Sequence, residues 1–392
     1  MKKLANKILF LSDRPEDTTG LARVGRDLAS LVSTMPEFKV GFLGRGSQGM
    51  AKFPWTTYSY PISGFGTWGE NHLAGVVDDF FGKERGIVFS NWDISRLGWM
   101  TGLGLSDELA RAYNPKARNW DLWGYFPVDG VGPSGASLGV EACNTVSCFN
   151  RVLAASEWGA GVLRASGRPD ADWIPHGIKL ADFTPNPKAR SILGWKESDV
   201  IVGMVASNQA RKDYPVAFHT AALLKEAYGN RFKFWLHTDA MVNYWSVYSL
   251  SVDYGLQDCL EVTMARSDEE MSLRYAACDC TMLPSAAEGF GFPIAESMAC
   301  GTACVVTDYA AGQELVEEES RVKPVAFRLD TIHNVQRAVL SGHGFVKAVA
   351  AQIEKKREDP EYRGGQMRAM VEHLDWDRLR IVWERWFREG LR

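Results

Sequence analysis

The stretch from Leu283 to Asp308, LPSAAEGFGFPIAESMACGTACVVTD, carries the densest set of chemically capable residues in this 392-residue chain. Glu288 and Glu296 stand eight residues apart, on either side of a Gly-Phe-Gly turn. An ionised carboxylate accepts hydrogen bonds from two hydroxyls at once, so two carboxylates around one turn suit a polyol. Gly289 and Gly291 allow the backbone to approach a ligand closely, and Pro293 fits the first turn of a helix over about Ile294 to Cys300. Gly301 then supplies the left-handed C-terminal cap. The unpaired N–H groups at such a helix start attract an anion such as a diphosphate. Polyol ends around a phosphate middle describe a nucleotide sugar. Spacing alone is equally compatible with Glu296 as a helix-start acid and Glu288 as an ordinary loop acid.

The same residues closely resemble the Glu-x7-Glu signature, EGFGxPxxEAMACG, of the retaining GT-B glycosyltransferases of family four. Three further segments resemble that family in the same order: TTGLARVGR (18–26), IPHGIKLADFTP (174–185) and VGMVASNQARKDYP (202–215). The resemblance covers most of the chain and is weakest over residues 45–120. It implies that Glu296 binds the donor ribose and that Glu288, with the amides of Gly289, Phe290 and Gly291, holds the transferred sugar. It also implies that Arg211 and Lys212 neutralise the diphosphate. Charge builds on that leaving group as the glycosidic bond breaks, and a preorganised cation there is worth roughly a few kcal/mol. The Arg that the family carries five residues before its Lys falls on Ser207, and Arg211 is placed to replace it. Lys179 also departs from the pattern, standing where an apolar residue is usual.

Gly20, after Thr18 and Thr19, would offer backbone amides to a donor phosphate or to the acceptor. The resemblance implies that Asp129, in GYFPVDG (124–130), lies near the donor sugar. The aromatic segments GFGTWGE (64–70) and FSNWDISRLGW (89–99) put Trp68, Trp92, Asp93 and Trp99 forward as acceptor contacts. The family implies retention of anomeric configuration by a front-face route without bound metal, and a UDP- or GDP-sugar as co-substrate in place of a permanent cofactor. The acceptor class stays open between a glycoconjugate, a protein and a hydroxymethylated nucleic-acid base. A GT-B epimerase or phosphorylase, or a non-catalytic sugar-nucleotide-binding protein, would share the architecture.

Positioning these groups requires strands that end where they begin. KILFLS (7–12), FKVGFL (38–43), GIVFS (86–90) and NWDLWGYFPV (119–128) are short apolar runs followed by polar or Gly-rich loops, and LARVGRDLASLV has helical spacing. After DWIPHGIKLADFTPNPK, too rich in proline for a helix or a central strand, the alternation restarts with DVIVGMVAS (199–207), RFKFWLH (231–237), CLEVT (259–263), CDCTMLPS and ACVVTD (303–308). The pattern predicts an α/β protein of two doubly wound domains, and the resemblance implies that they are the Rossmann-like domains of a GT-B architecture, facing across a cleft. The domains would be 1–180 for the acceptor and 181–370 for the donor. Residues 371–392 would form a helix crossing back to the first domain, with Trp376, Leu379, Trp383, Trp386 and Phe387 on one face.

Composition limits the alternatives. Forty-four basic against 48 acidic residues leave a net charge of -4, which disfavours a broad phosphate-backbone surface. The apolar run at the start of the chain stops at Asp13, short for a spanning helix or an export signal. Seven cysteines, an odd number, read as core thiols of a cytoplasmic protein. Cys278 with Cys280 and Cys300 with Cys304 are poor chelating pairs, so no metal site is expected. GRGSQG (44–49) lacks the helix that a dinucleotide fingerprint requires, and DAD (170–172) sits in a linker-like stretch. His176 and His237 read as positioning residues. The 14 tryptophans are the unusual count, divided between a terminal helix, a core strand at Trp235 and the loops that hold Trp68, Trp92 and Trp99.

Overall fold

The computed structural model describes residues 6–46, 52–60, 62, 67–330 and 334–391. Parts of GFGTWGE (64–66) and of GRGSQG (47–49) lie outside the described residues. The chain divides into two units, Met1–His176 with Thr331–Val335 and Arg380–Arg392, and Gly177–Asp330 with Gln336–Leu379. The sequence pattern had put this boundary at residue 180.

The first unit is one parallel sheet with strands β1 (Asn6–Asp13), β2 (Phe38–Arg45), β3 (Thr56–Tyr60), β4 (Gly86–Ser90), β5 (Asp121–Phe126), β6 (Arg151–Ala154) and β7 (Asp172–Trp173). Their order is β3-β2-β1-β4-β5-β6-β7, so the direction of winding reverses between β1 and β4. The central strands are apolar runs buried along nearly their whole length, as expected of a parallel sheet covered on both faces. The second unit repeats the plan with β8 (Val200–Val205), β9 (Phe232–His237), β10 (Leu260–Thr263), β11 (Cys280–Leu283), β12 (Cys304–Thr307) and β13 (Arg321–Val322), ordered β10-β9-β8-β11-β12-β13. Here the winding reverses between β8 and β11. A two-stranded antiparallel hairpin, β14 (Ala326–Leu329) with β15 (Gln336–Val339), was not legible in the sequence. Every residue of β14 is exposed, so no alternation of burial marks it.

The terminal helix Trp376–Glu389 serves both units. Trp383, Trp386 and Phe387 are buried in the first unit, against Tyr125 (4.8 Å between ring centroids), Trp123 (5.3 Å) and Phe89 (5.4 Å) respectively. Arg151 seals this cluster, stacking on Trp386 at 4.2 Å and donating to its carbonyl at 3.0 Å. Each large ring buried this way contributes roughly 2–3 kcal/mol. Trp376 does not share that face. It is half-buried in the second unit, against Gly177, where any β-carbon would collide with its ring. Trp376 N donates to Ile178 O at 2.9 Å, and Ile178 N donates to Leu374 O at 2.9 Å, which ties the proline-rich segment down after β7.

None of the seven cysteines forms a disulfide, and burial drives the thiols of Cys278, Cys300 and Cys304 up to about 12, the behaviour of inert core residues. No helix among the described residues is long and apolar enough to cross a membrane.

Candidate functional site

Open α/β sheets bind ligands beyond the carboxyl ends of their strands, where the winding reverses. In the second unit that point lies between β8 and β11, and the loops leaving those two strands carry Arg211, Lys212 and Glu288. Arg211 and Lys212 occupy a single 3-10 turn, Ala210–Lys212, closed by Asp213 in the left-handed region at φ 45°. The loop after β11 is pinned to that turn. Ala286 N donates to Arg211 O at 2.7 Å, and Arg211 Nη1 donates to Ala287 O at 3.2 Å. From the other side Ala311 N, after β12, donates to Glu288 O at 3.0 Å.

These anchors bring the three charges together. Lys212 Nζ donates to Glu288 Oε1, and Arg211 Nη1 lies 3.2 Å from the same oxygen. Lys212 is 6% exposed and Glu288 8%. Burial alone would push the Glu288 carboxyl up, but the Lys212 and Arg211 cations outweigh it and hold the group at about 2. The triad therefore keeps one net positive charge. Beside it, Gly291 (φ 101°) precedes the helix Phe292–Ala299, and a β-carbon there would meet Ile294 Cδ1 at 2.5 Å. Among the described residues the amides of Gly289 and Gly291 make no hydrogen bond. Phe290 is buried and stacks edge-on against Phe292 at 5.3 Å.

Glu296 lies on the same helix and is held separately, its Oε2 accepting from Tyr275 OH at 3.1 Å. Ser207 is half-buried at the start of the β8 loop, where its carbonyl accepts from Gln209 N at 2.8 Å. Three residues of this region had no sequence signal. Tyr275 orients Glu296 from a helix whose partner the sequence does not name. Ser285 is buried beside Glu288, near enough to help lower its carboxyl, yet its hydroxyl makes no well-formed hydrogen bond among the described residues. Asn208 is buried completely and joins two loops.

In the first unit, Gly20 opens the helix Gly20–Ser33, whose cap residue Thr19 accepts from Ala22 N at 3.3 Å. Asn91 Nδ2, after β4, donates to Leu21 O at 2.8 Å and fixes that helix start at the reversal point. Asp129 is half-buried beyond the end of β5. Two acceptor candidates need correction. Trp92 is 0% exposed and Trp99 8%, both inside the hydrophobic core, so neither has a ring face to offer a ligand. The indole N–H of Trp92 instead donates to Asp13 Oδ1 at 3.0 Å. Trp68 is half-buried, with the guanidinium carbons of Arg45 and Arg96 at 4.3 and 4.7 Å from its ring centroid. Asp93 pairs with Arg96 at 3.3 Å, and Arg96 also reaches Asp13 at 3.2 Å. Asp13 was missed, although as the last residue of β1 it sits where ligands of such sheets are met.

His176, the last residue of this unit's first segment, is buried against Tyr125. Tyr125 OH donates to Ile174 O at 2.8 Å, so the 2.7 Å contact with His176 Nδ1 needs the hydrogen on the imidazole. Burial, with Arg23 nearby, pushes that imidazole down to about 3. Among the described residues no three His, Cys, Asp or Glu side chains are grouped to hold a metal ion.

The two doubly wound parallel units, the second with Arg211, Lys212 and Glu288 at its reversal point, are those of the GT-B fold shared with the solved structures below. Residues 185–326 match the family model described as Glycosyl transferases group 1. In sequence it is similar to EpsF of Bacillus subtilis (strain 168), 27% identical over 190 residues, 46% of this chain and 48% of that protein. It is also similar to the D-inositol 3-phosphate glycosyltransferase of Mycolicibacterium vanbaalenii, 26% identical over 45% of this chain and 42% of that one. The chain thus spans less than half the length of these curated relatives. In structure it is similar to sucrose-phosphate synthase from Thermosynechococcus elongatus (TM-score 0.75, 17% identity, 98% of this chain and 99% of the other). Anabaena HepE in complex with UDP and glucose gives a TM-score of 0.70 at 16% identity, with 98% and 99% covered.

Proposed function

We propose that this protein is a retaining glycosyltransferase that moves a hexose from a nucleoside-diphosphate sugar to an acceptor hydroxyl. The observation that carries the proposal is the Arg211, Lys212 and Glu288 triad, with Lys212 and Glu288 buried and Arg211 half-buried, set beside the Gly289 and Gly291 amides. A diphosphate carries charge opposite to that of Arg211 and Lys212, and the sugar and ribose hydroxyls suit Glu288 and Glu296. The Ser285 hydroxyl, buried without a well-formed partner, is a further group a bound sugar would satisfy. Because the HepE structure is printed with UDP and glucose, UDP-glucose is the first donor to test.

In the proposed reaction the donor C1–O bond breaks and its electron pair stays on the β-phosphate oxygen, whose growing charge Lys212 and Arg211 offset. The acceptor oxygen bonds to C1 on the same face, and its proton passes to the departing phosphate. Ser207 and Gly20 are donor-side contacts in this reading, and Asp129 contacts the transferred sugar. On the acceptor side Trp68 and Asp93 are retained, with Asp13 and Arg96 added because they form one connected polar rim with Asp93.

A screen of UDP-, GDP- and ADP-sugars by thermal shift, followed by intact-mass analysis of acceptors with the best donor, tests the proposal. Stabilisation by at least one donor, and a mass gain of one hexose on an acceptor, are expected. Donor epimerisation or phosphorolysis without transfer would replace this reading with a neighbouring activity, and binding without any turnover would leave a sugar-nucleotide-binding protein.

A further inference from the structure

We propose that Asn208 is a positioning residue for transfer, holding the turn that carries Arg211 and Lys212 by joining the loops that leave β8 and β9; the inference rests on the donor site proposed above. The turn itself is only three residues long, too short to hold its own conformation in water. Its geometry must come from what it is tied to.

On the β11 side the tie is the pair of bonds between Arg211 and residues 286–287. On the N-terminal side it is Asn208. The Asn208 side chain is fully buried and its hydrogen-bonding capacity is used across one loop. Nδ2 donates to Ala240 O at 3.0 Å and to Trp245 O at 2.8 Å, while Oδ1 accepts from Trp245 N at 2.9 Å. Its backbone joins in, with N donating to Asp239 Oδ1 at 2.7 Å and O accepting from Asn243 Nδ2 at 2.9 Å. One residue on, Gln209 O accepts from the Trp245 indole at 3.2 Å and from Lys212 N at 3.1 Å, so the same carbonyl links the anchor to the catalytic lysine.

A carboxamide is the side chain that this junction requires. It must donate twice and accept once within one buried plane, which neither a carboxylate nor an aliphatic group can do. A displacement of about 1 Å in a charged group can cost on the order of 100-fold in rate while ground-state binding changes far less. Asn208→Ala is therefore expected to act on turnover more than on donor binding.

The test is a double-mutant cycle of Asn208→Ala with Lys212→Ala, measuring nucleotide release from UDP-glucose, or from the best donor of the screen. Rates are normalised to folded enzyme by binding stoichiometry for free UDP or the corresponding diphosphate. Asn208→Ala alone should lower kcat by 10- to 100-fold with KM for donor changed less than threefold. In the Lys212→Ala background it should cost less than threefold, because the group it positions is gone. Equal costs in both backgrounds, or an unchanged kcat per folded molecule, would show a structural role and overturn the proposal. If Asn208→Ala does not fold, Trp245→Phe removes only the indole bond to Gln209 O. It should lower kcat three- to tenfold, and again not when Lys212 is absent. Should Lys212→Ala alone leave turnover at the wild-type rate, the donor-site reading itself fails and the Asn208 proposal falls with it.

Discussion

Replacing Lys212 with methionine removes an ammonium while keeping the length of the side chain, and the effect on stability follows from the geometry of its partner. Glu288 is 8% exposed and is balanced by Lys212 and by Arg211, whose side chain is 31% exposed and 3.2 Å away. In the folded chain the carboxyl titrates at about 2, against 4.5 for a free carboxyl. Because the folded value is depressed, the stabilisation is complete above the unfolded value and is lost as pH falls from about 4.5 towards 2. Its size at neutral pH is about 3 kcal/mol. In Lys212→Met the more exposed Arg211 and the Ser285 hydroxyl are left to oppose burial, so the carboxyl shifts upward and most of that contribution is lost. Leaving a buried carboxylate short of its partner costs about 3–5 kcal/mol. At about 2–4 °C per kcal/mol for a unit of this size, the second unit should melt roughly 6–20 °C lower at pH 7. The assay is thermal unfolding of both proteins from pH 7 to pH 3, and the gap between them should narrow as the wild type loses its own contribution. Equal melting at pH 7, or a gap independent of pH, would refute the reasoning about the triad.

Other consequences are as direct. Gly291→Ala forces a β-carbon at φ 101° to within 2.5 Å of Ile294 and should cost about 1–3 kcal/mol, read by thermal unfolding, together with weaker binding of UDP. His176 is buried neutral with its imidazole held at about 3, so its contribution is complete above 6.5 and is lost as pH falls. His176→Gln should flatten the stability profile of the first unit between pH 6 and 4, by about 3 kcal/mol at the acid end, measured by denaturant titration. Trp383→Ala empties a fully buried site against Tyr125 and should destabilise the first unit by about 3–5 kcal/mol, checked in the same titration.

The alternation of short apolar runs with helical spacing was enough to place the two sheets, because parallel strands buried on both faces read as continuous apolar segments. The β14–β15 hairpin left no such mark, since its first strand is exposed on both faces. Among the candidate site residues, the spacing of Glu288 and Glu296 left an ordinary loop acid equally open and Arg211 and Lys212 stood out only through the family resemblance; the structure brings Arg211, Lys212 and Glu288 together. Trp92 and Trp99 misled because an indole in a loop-like stretch looks the same whether it fills the core or faces solvent; only the chain around it decides, and here the N–H of Trp92 closes on Asp13. Asn208, Tyr275 and Ser285 were invisible for a related reason. Their partners lie 21 or more residues away for Tyr275, at Glu296, and 31 or more for Asn208, at residues 239–245, while the role of Ser285 depends on the loop folding back beside Glu288.

The most direct test of the donor site compares nucleotide release from the best nucleotide sugar by wild type and by Lys212→Ala, each normalised to folded enzyme. A cation that stabilises the departing diphosphate should be worth about 3–4 kcal/mol, so kcat/KM should fall by at least about 100-fold. A value within threefold of wild type would contradict the placement of the transfer chemistry at Arg211, Lys212 and Glu288.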